Sequence, residues 1–199
     1  MSSCESYIGN DFNADPNNPI AVPISAQIPS IQINLVDVYG GEFSRNNSII
    51  TQQVEGAARQ CFSFNRYSGM VPSRYSTVWS NIYENVLNEI KLAQKKAENE
   101  GFAHYSGMLN VMEAFTLMAA TDVWDDMPYS EAFQGIDNLH PKFDTQASIY
   151  EVIFNLLDKA VILLSGNNEA LPSEMMIYFT MVILIYGLKL PMRLKQEGC

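Results

Sequence analysis

The stretch from Trp79 to Leu164 constrains the fold of this chain more than any other, because it carries three helical patterns in succession. In the first of them, apolar side chains recur every three or four residues, which is the spacing of one face of an α-helix. The members of this stripe are Trp79, Ile82, Tyr83, Val86, Ile90, Ala93 and Ala97. Gly101 supplies a stop signal. The pattern predicts an amphipathic helix over residues 77–100, with Trp79 and Tyr83 as core contacts.

The second pattern, over residues 103–120, is apolar nearly all round the helix, which is typical of a central helix. A very short connection separates it from the first, so the two helices are expected to fold back as an antiparallel hairpin. The third pattern covers residues 146–165, with Thr145 or Asp144 as its cap. Its apolar stripe consists of Ile149, Val152, Ile153, Leu156, Leu157, Ala160, Leu163 and Leu164. Successive hairpins of this size predict an all-α fold of tetratricopeptide-like stacked helix hairpins.

The amino-terminal part of the chain has weaker patterns. Residues 4–24 are rich in Asn, Asp, Pro and Gly, which favours turns and extended chain, so an irregular leader is expected there. Residues 30–39 fit either a short helix capped by Ser30 or a strand, and the Gly-Gly pair that follows ends the element. A further helix is predicted over residues 48–60. Its apolar face would consist of Ile50, Val54, Ala57, Ala58 and Cys61, with the Cys61 thiol buried.

Residues 61–76 interleave aromatic side chains with polar ones. Two interpretations fit this composition. The rings either pack on the helices beneath them, or they form a platform on which sugar rings stack while Arg and Asn hydrogen-bond the hydroxyls. Under the second interpretation, Phe64, Arg66 and Tyr67 are the candidate ligand-binding residues.

The loop over residues 121–142 concentrates acidic side chains. These are Asp122, Asp125, Asp126 and Glu131. Paired carboxylates serve as acid and base in glycoside hydrolysis, and carboxylates with carbonyls hold Ca²⁺. The spacing lacks the alternating ligands and central Gly of a Ca²⁺ loop. It fits better with Asp side chains that satisfy a helix end and a tight turn. We therefore predict no catalytic residue, no metal site and no cofactor.

The composition excludes some classes of function. With 199 residues the chain is long enough for one domain with a real core. A net charge of −10 argues against a nucleic-acid partner, because phosphate binding needs clustered Lys and Arg. The most apolar run, residues 175–186, is shorter than the ~20 residues that a transmembrane helix needs. The three cysteines make no disulfide framework.

Cys4 stands apart from the other cysteines, directly after Ser2 and Ser3. One interpretation is an exposed cysteine on an irregular terminus. The other is the acceptor of a lipid anchor, because bacterial lipoprotein signal segments end in small residues before the modified cysteine. On this second interpretation, the hydrophobic signal segment is missing from the sequence.

Several segments together resemble one family. They are Trp79-Ser-Asn-Ile-Tyr83, the helix that starts Gly107-Met-Leu-Asn, the loop Thr121-Asp-Val-Trp-Asp-Asp-Met-Pro-Tyr-Ser-Glu-Ala132, and Pro141-Lys-Phe-Asp-Thr leading into the helix that ends at Leu164. This succession resembles the amino-terminal part of SusD/RagB-like proteins, the starch-utilisation type of outer-membrane lipoproteins. The loop that ends in Pro-Tyr-Ser-Glu-Ala is the most specific piece, and the resemblance covers residues 4–172.

The resemblance implies a mostly helical surface protein that is lipidated at Cys4 and lies at the outer membrane. It implies a SusC-like TonB-dependent transporter as partner, an oligosaccharide or peptide as ligand, and no enzymatic activity. Family ligand residues vary, so none is transferred to this sequence. Two alternatives stay open. One is a soluble helical-repeat scaffold for protein partners, and the other is a glycosidase built on Asp125 and Asp126.

The expected organisation is a tether over residues 1–24, a partial SusD-like helical domain over residues 25–172 and an aberrant tail over residues 173–199. Family members are much longer, and the tail from about Met175 lacks the family pattern. Shifting the reading frame of plausible codons from Met176 onward permits a sequence that resembles the family. We therefore expect a frameshifted tail on a truncated fragment, whose missing helix partners would leave apolar stripes exposed.

Overall fold

The computed structural model describes residues 22–68, 71 and 75–165, apart from the side chains of Gln60 and Ser165. The predicted tether up to residue 21, with Cys4, and the predicted aberrant tail lie outside these residues. Within the described part, the chain forms helices and no strand, and a single antiparallel bridge joins Met127 to Asp144. The predicted all-α class is confirmed.

The first long element is a bent helix. Helix α1 spans Ile24–Val38, a π-helical turn spans Tyr39–Phe43, and helix α2 spans Ser44–Ile50. The helical alternative for residues 30–39 is therefore confirmed, but the helix starts earlier than predicted, after Pro23, and Ser30 lies inside it rather than at its cap. Its buried face consists of Ile24, Ile28, Ile31, Leu35 and Val38. The glycine pair bends the helix instead of ending it, since Gly41 has non-helical angles (φ −83°, ψ −113°).

The predicted helix over residues 48–60 is wrong. Helix α2 ends at Ile50, and the next helix, α3, spans Arg59–Asn65. Between them the backbone turns sharply, with positive φ at Gln52 and Arg59. Gly56 lies so close to the next helix that a Cβ on it would be 2.0 Å from the carbonyl oxygen of Cys61. The expected apolar face does not form, because Val54 is 52% exposed and Cys61 is half-buried.

The helix predicted over residues 77–100 is confirmed as one continuous element. It consists of α4 (Ser76–Ser80), a π-helical segment (Asn81–Leu87) and α5 (Asn88–Glu100). Gly101 ends it in the left-handed region (φ 75°), and the N–H of Phe102 donates to the carbonyl of Ala97 at 2.8 Å. This arrangement is a Schellman motif, which satisfies carbonyls that the helix end leaves unpaired.

Helix α6 spans Ala103–Trp124 and is the central helix that the sequence predicts, but it continues beyond the predicted end at residue 120. Helix α7 spans Gln146–Ser165, the predicted bounds, and both α5 and α7 pack against α6. A short 3₁₀ turn, Gly135–Asp137, lies in the loop between α6 and α7. Helix α1 contacts α5 and α6, so one hydrophobic core joins all the long helices. The stacked helix hairpins predicted from the sequence are confirmed.

Candidate functional site

The loop between α6 and α7 brings the end of one helix to the start of the next. The carboxylate of Asp126 accepts a hydrogen bond of 3.0 Å from the N–H of Gln146, the first residue of α7. Thr145 caps the same end, since its Oγ1 accepts the N–H of Ser148 at 3.3 Å. Two backbone hydrogen bonds between Met127 and Asp144, of 3.0 and 3.1 Å, close the loop. Asp126 and Thr145 therefore satisfy two of the N–H groups that a helix start leaves unpaired.

Three further acidic side chains in or next to the loop also make structural contacts. Asp144 accepts hydrogen bonds from the N–H and Oγ of Ser130, each 2.7 Å, and from the N–H of Tyr129 at 2.9 Å. Glu131 forms an ion pair of 2.7 Å with Lys142. Further along α6, Asp122 accepts a hydrogen bond of 2.5 Å from the hydroxyl of Tyr150. Among the described residues, no group of three or more His, Cys, Asp or Glu is arranged to hold a metal ion.

A buried polar cluster lies where this loop meets the central helix. At its centre is Glu113 of α6, whose side chain is fully buried. Its Oε1 accepts a hydrogen bond of 2.7 Å from the Tyr129 hydroxyl and pairs with the Lys91 ammonium. Its Oε2 accepts a hydrogen bond of 2.7 Å from Nε2 of Gln94, which also donates to Oδ1 of Asn110 at 2.9 Å. Each carboxylate oxygen thus has a donor, as a buried charge requires.

The protonation state of this cluster follows from its surroundings. Burial raises the pKa of the Tyr129 hydroxyl well above its usual range, and the negative charge of Glu113 adds to the effect. Tyr129 therefore stays a neutral hydrogen-bond donor at every physiological pH. Lys91 lies 4.9 Å from the centre of the Tyr129 ring and donates to its hydroxyl at 3.0 Å. The three groups hold one another in place.

This cluster forms part of the wall of an open groove of about 800 Å³. Residues of α5, α6 and α7 line the groove, and α6 is the middle one of these three helices. Polar side chains along it include Ser106, Asn155 and Lys159, and α7 adds apolar ones such as Leu156 and Leu163. A groove of this size with a few oriented polar groups suits ligand binding. We take it as a candidate functional site, in which the Glu113 cluster is already satisfied by its own hydrogen bonds and ion pair.

The structure does not bring the three residues predicted as ligand contacts together into one exposed surface. Phe64 is 2% exposed, and its ring packs edge-on against Tyr75 with 6.5 Å between centroids. Arg66 lies over the ring of Phe62, 4.2 Å from its centroid. Tyr67 is 53% exposed, and its hydroxyl donates to the carbonyl of Ile50 at 2.9 Å. Only Arg66 and Tyr67 of the three are therefore accessible to a ligand.

Sequence reasoning missed the cluster around Glu113. The signal is present, because Glu113 is a carboxylate within a helix that is otherwise apolar nearly all round, and a buried charge needs partners. Lys91 and Gln94 lie three positions apart on the preceding helix, so they share one face. Tyr129 is the partner that the sequence alone does not reveal, since it reaches the helix from the loop.

Comparison with known proteins places the chain in a family. Residues 16–182 match the family model SusD-like_2, described as starch-binding and associating with the outer membrane. The structure is similar to the crystal structure of a SusD/RagB family protein from Bacteroides thetaiotaomicron VPI-5482, with a TM-score of 0.64 and 22% sequence identity. That likeness, which shows the fold, covers 75% of this chain and 32% of the other, so this chain spans about a third of the length of that protein.

The family match stands beside one search without a result. No curated protein matches the sequence. Within the part of the chain that the structure describes, no helix combines the length and the apolar character that crossing a membrane requires. The match covers most of the sequence, and the resemblance read from its segments is confirmed. The chain belongs to the SusD-like family.

Proposed function

We propose that this chain is the amino-terminal part of a surface lipoprotein that binds oligosaccharides or other nutrients and passes them to a TonB-dependent outer-membrane transporter. The supporting observation is the family match over residues 16–182. The helical stack, shared with a solved SusD/RagB protein, agrees with this role. The test is a binding screen of the full-length parent protein with oligosaccharides and peptides. Failure of every glycan and peptide to bind would contradict the proposal.

The proposed membrane attachment uses a lipid on Cys4. Labelled palmitate fed to the native bacterium is expected to enter the wild-type protein and to be lost in Cys4→Ala. Cys61→Ala is the matched control, because Cys61 is a free, half-buried cysteine in a packed part of the fold. Equal labelling of the wild-type protein and Cys4→Ala would exclude this anchor.

The proposed ligand contact in the aromatic segment consists of Arg66 and Tyr67, whereas Phe64 is buried. Arg66 and Tyr67 are exposed and adjacent in the chain, which suits hydrogen bonding to a hydroxyl beside a stacking ring. Replacing Arg66 or Tyr67 with Ala is expected to weaken glycan binding by the parent protein. Arg45→Ala is the control, since Arg45 is an exposed arginine already paired with Glu42 at 2.8 Å.

The proposed transporter partner and the proposed truncation need separate tests. A SusC-like transporter is expected to co-purify with the parent protein from solubilised outer membranes. Sequencing of the gene is expected to reveal a continuous downstream frame that encodes the missing part once the frame near Met175 is corrected. Absence of such a frame would contradict the truncation.

A soluble scaffold for protein partners is the second candidate function. The observation that favours it is the apolar edge on α7, where Val161 is 39% and Ile162 is 74% exposed. A scaffold is expected to bind proteins without incorporating lipid and without binding glycans. Lipid incorporation at Cys4 together with glycan binding would exclude it.

A further inference from the structure

A second cleft, separate from the groove at Glu113, lies between the π-helical segment and the loop that follows α6. Its volume is about 570 Å³. The residues around it are Trp79, Tyr83, Glu84, Asn88, Pro128, Ala132, Phe133, Gln134, Gly135, Asn138 and Pro141. We call it the aromatic cleft, after its three rings Trp79, Tyr83 and Phe133. All of its described walls come from residues 79–141.

The three rings pack against one another along one side of the cleft. The rings of Trp79 and Tyr83 are 4.7 Å apart between centroids, and those of Tyr83 and Phe133 are stacked at 6.0 Å with 24° between their planes. Trp79 is fixed from behind by the ring of Trp124 at 5.1 Å. The Tyr83 hydroxyl donates to the carbonyl of Pro128 at 2.7 Å, so the ring cannot turn away without losing that bond.

The backbone of the loop also holds its ring in place. Phe133 has a φ of 63°, which is in the left-handed region that bulky side chains rarely adopt. Such a conformation persists only where the surrounding structure imposes it, and it is frequent at ligand sites. Here it brings the Phe133 ring against Tyr83, where the ring stays half-buried and keeps part of its surface open to the cleft.

Planar polar side chains surround the rings. Asn88 lies on the helix side and Gln134 and Asn138 lie on the loop side of the cleft. Asn138 is oriented by two hydrogen bonds of 3.2 Å, because its Nδ2 donates to the carbonyl of Glu131 and its Oδ1 accepts the N–H of His140. Aromatic faces next to amides match a sugar ring, whose C–H face stacks and whose hydroxyls bond in the ring plane.

The negative charge of the cleft favours uncharged sugars over acidic ones. Glu84 is the charged side chain among the described residues that line it, and the whole chain carries a net charge of −10. A carboxylate accepts hydrogen bonds from hydroxyl groups but repels uronate and sulfate groups. The cleft is therefore suited to uncharged sugars rather than to acidic ones.

We propose that the aromatic cleft is a binding site for a neutral oligosaccharide, in which a pyranose ring stacks on the open face of Phe133 and its hydroxyls bond to Asn88 and Gln134. This inference rests on the proposed function for its ligand class, and it assigns that ligand to a site other than the Arg66–Tyr67 surface. Since the described walls lie within residues 79–141, the intact 199-residue chain is expected to bind on its own.

Calorimetric titration of the intact chain with malto-, xylo- and manno-oligosaccharides, and with oligogalacturonate as the acidic probe, tests this inference. At least one neutral probe is expected to bind and the acidic one is not. Phe133→Ala is expected to weaken binding about ten-fold, the loss that goes with removal of one stacking face. Phe143→Ala is the matched control, because Phe143 is a phenylalanine of the same loop that is 64% exposed and lies outside the cleft.

Each outcome decides between the two proposals. Equal affinity of Phe133→Ala and Phe143→Ala for a neutral probe would overturn the cleft while leaving the proposed function in place. Binding by the parent protein but not by the intact chain would also overturn it. Asn88→Ala provides a second test, because it leaves the rings intact, and it is expected to lower affinity without lowering the unfolding temperature. Absence of glycan binding by the parent protein would contradict the glycan part of both proposals.

Discussion

The hydroxyl of Tyr129 donates a 2.7 Å hydrogen bond to Oε1 of Glu113 and so links the loop after α6 to the middle of that helix. A fully buried carboxylate is costly unless donors surround it. Here the donors come from α5 and from the loop, so the bond network forms only when all three segments are in place. The cluster therefore couples the position of the loop to the packing of the α5–α6 hairpin.

Replacement of Glu113 by Ala is expected to destabilise the fold by roughly 3 kcal/mol, because Gln94 and Tyr129 lose their acceptor and Lys91 loses its ion-pair partner. Urea unfolding followed by circular dichroism measures this change. Glu98→Ala is the control, since Glu98 is an exposed carboxylate on the neighbouring helix, and its effect is expected to stay within about 0.5 kcal/mol. Similar stabilities of the two variants would show that the cluster contributes nothing net to folding.

The carboxylate of Asp144 makes the stability of the loop depend on pH in the acidic range. Partial burial acts to raise the pKa of Asp144, but the donors from Ser130 and Tyr129 and the charge of Lys142 outweigh it and lower the pKa overall. A lowered pKa in the folded state means that the stabilisation is complete above the unfolded pKa of about 3.9 and is lost as the pH falls through the folded value.

Asp144→Asn is accordingly expected to lower stability at neutral pH by about 1–2 kcal/mol, because an amide cannot accept all three hydrogen bonds and turns a donor toward other donors. The difference from the wild-type protein should shrink as the pH falls to about 3. Unfolding curves over this pH range measure it. Asp137→Asn, at an exposed aspartate of the same loop, is the control and should cause a small change. A constant difference for Asp144→Asn would refute the assignment.

The long helices could be predicted from the sequence because their apolar periodicity and their stop signals agree. Gly101 is in the left-handed conformation that its position after α5 requires, and α7 has the predicted bounds. The π-helical segment Asn81–Leu87 was not predicted. Its wider turn changes the face that points inward, so Val86 and Leu87 are both fully buried although they are neighbours in the chain.

The region before α3 could not be predicted because its conformation depends on tertiary contacts rather than on the local pattern of apolar residues. The apolar spacing around Val54 is that of a helix, yet the backbone turns at Gln52 and Gly56 packs against Cys61. The candidate sites were missed for a related reason. Trp79 and Tyr83 fit a core stripe, and only the folded loop brings Phe133 beside them. Glu113 likewise acquires Tyr129 only through the fold.

The hydrogen bond from Tyr150 to Asp122 predicts a loss of stability in alkali. Burial raises the pKa of Tyr150 to about 12, and the hydrogen bond to Asp122 and its negative charge add to this. A raised pKa means that the contribution is complete below the ordinary value of about 10 and is lost as the pH rises toward the folded value. Tyr150→Phe should therefore differ from the wild-type protein near pH 8, and the difference should shrink from about pH 10 and be lost near pH 12.

Urea unfolding of both proteins over this alkaline range tests the prediction. Tyr105→Phe is the control, because its ring keeps the contact with Phe102 at 5.8 Å while the hydroxyl is removed. That variant measures how far the loss of a tyrosine hydroxyl alone changes the stability. If Tyr150→Phe and the wild-type protein stayed equally far apart from neutral pH to about pH 11, the hydrogen bond to Asp122 would not be the cause of the difference.

The close approach of α6 and α7 depends on a glycine in the middle of a helix. A Cβ on Gly107 would lie 2.7 Å from Cγ of Leu164 and 3.3 Å from Cβ of Leu163. Alanine is favoured over glycine in a helix by about 1 kcal/mol, but here the clash forces α7 to move and opens the packing between the helices. Gly107→Ala is expected to destabilise the protein by about 1–3 kcal/mol in spite of the better propensity.

Gly40→Ala is the matched control, since no atom lies within 4 Å of the added carbon, and it should be neutral or slightly stabilising. Thermal unfolding of the two variants decides the matter, because a stabilised Gly107→Ala would mean that α7 does not pack this closely against α6 in solution.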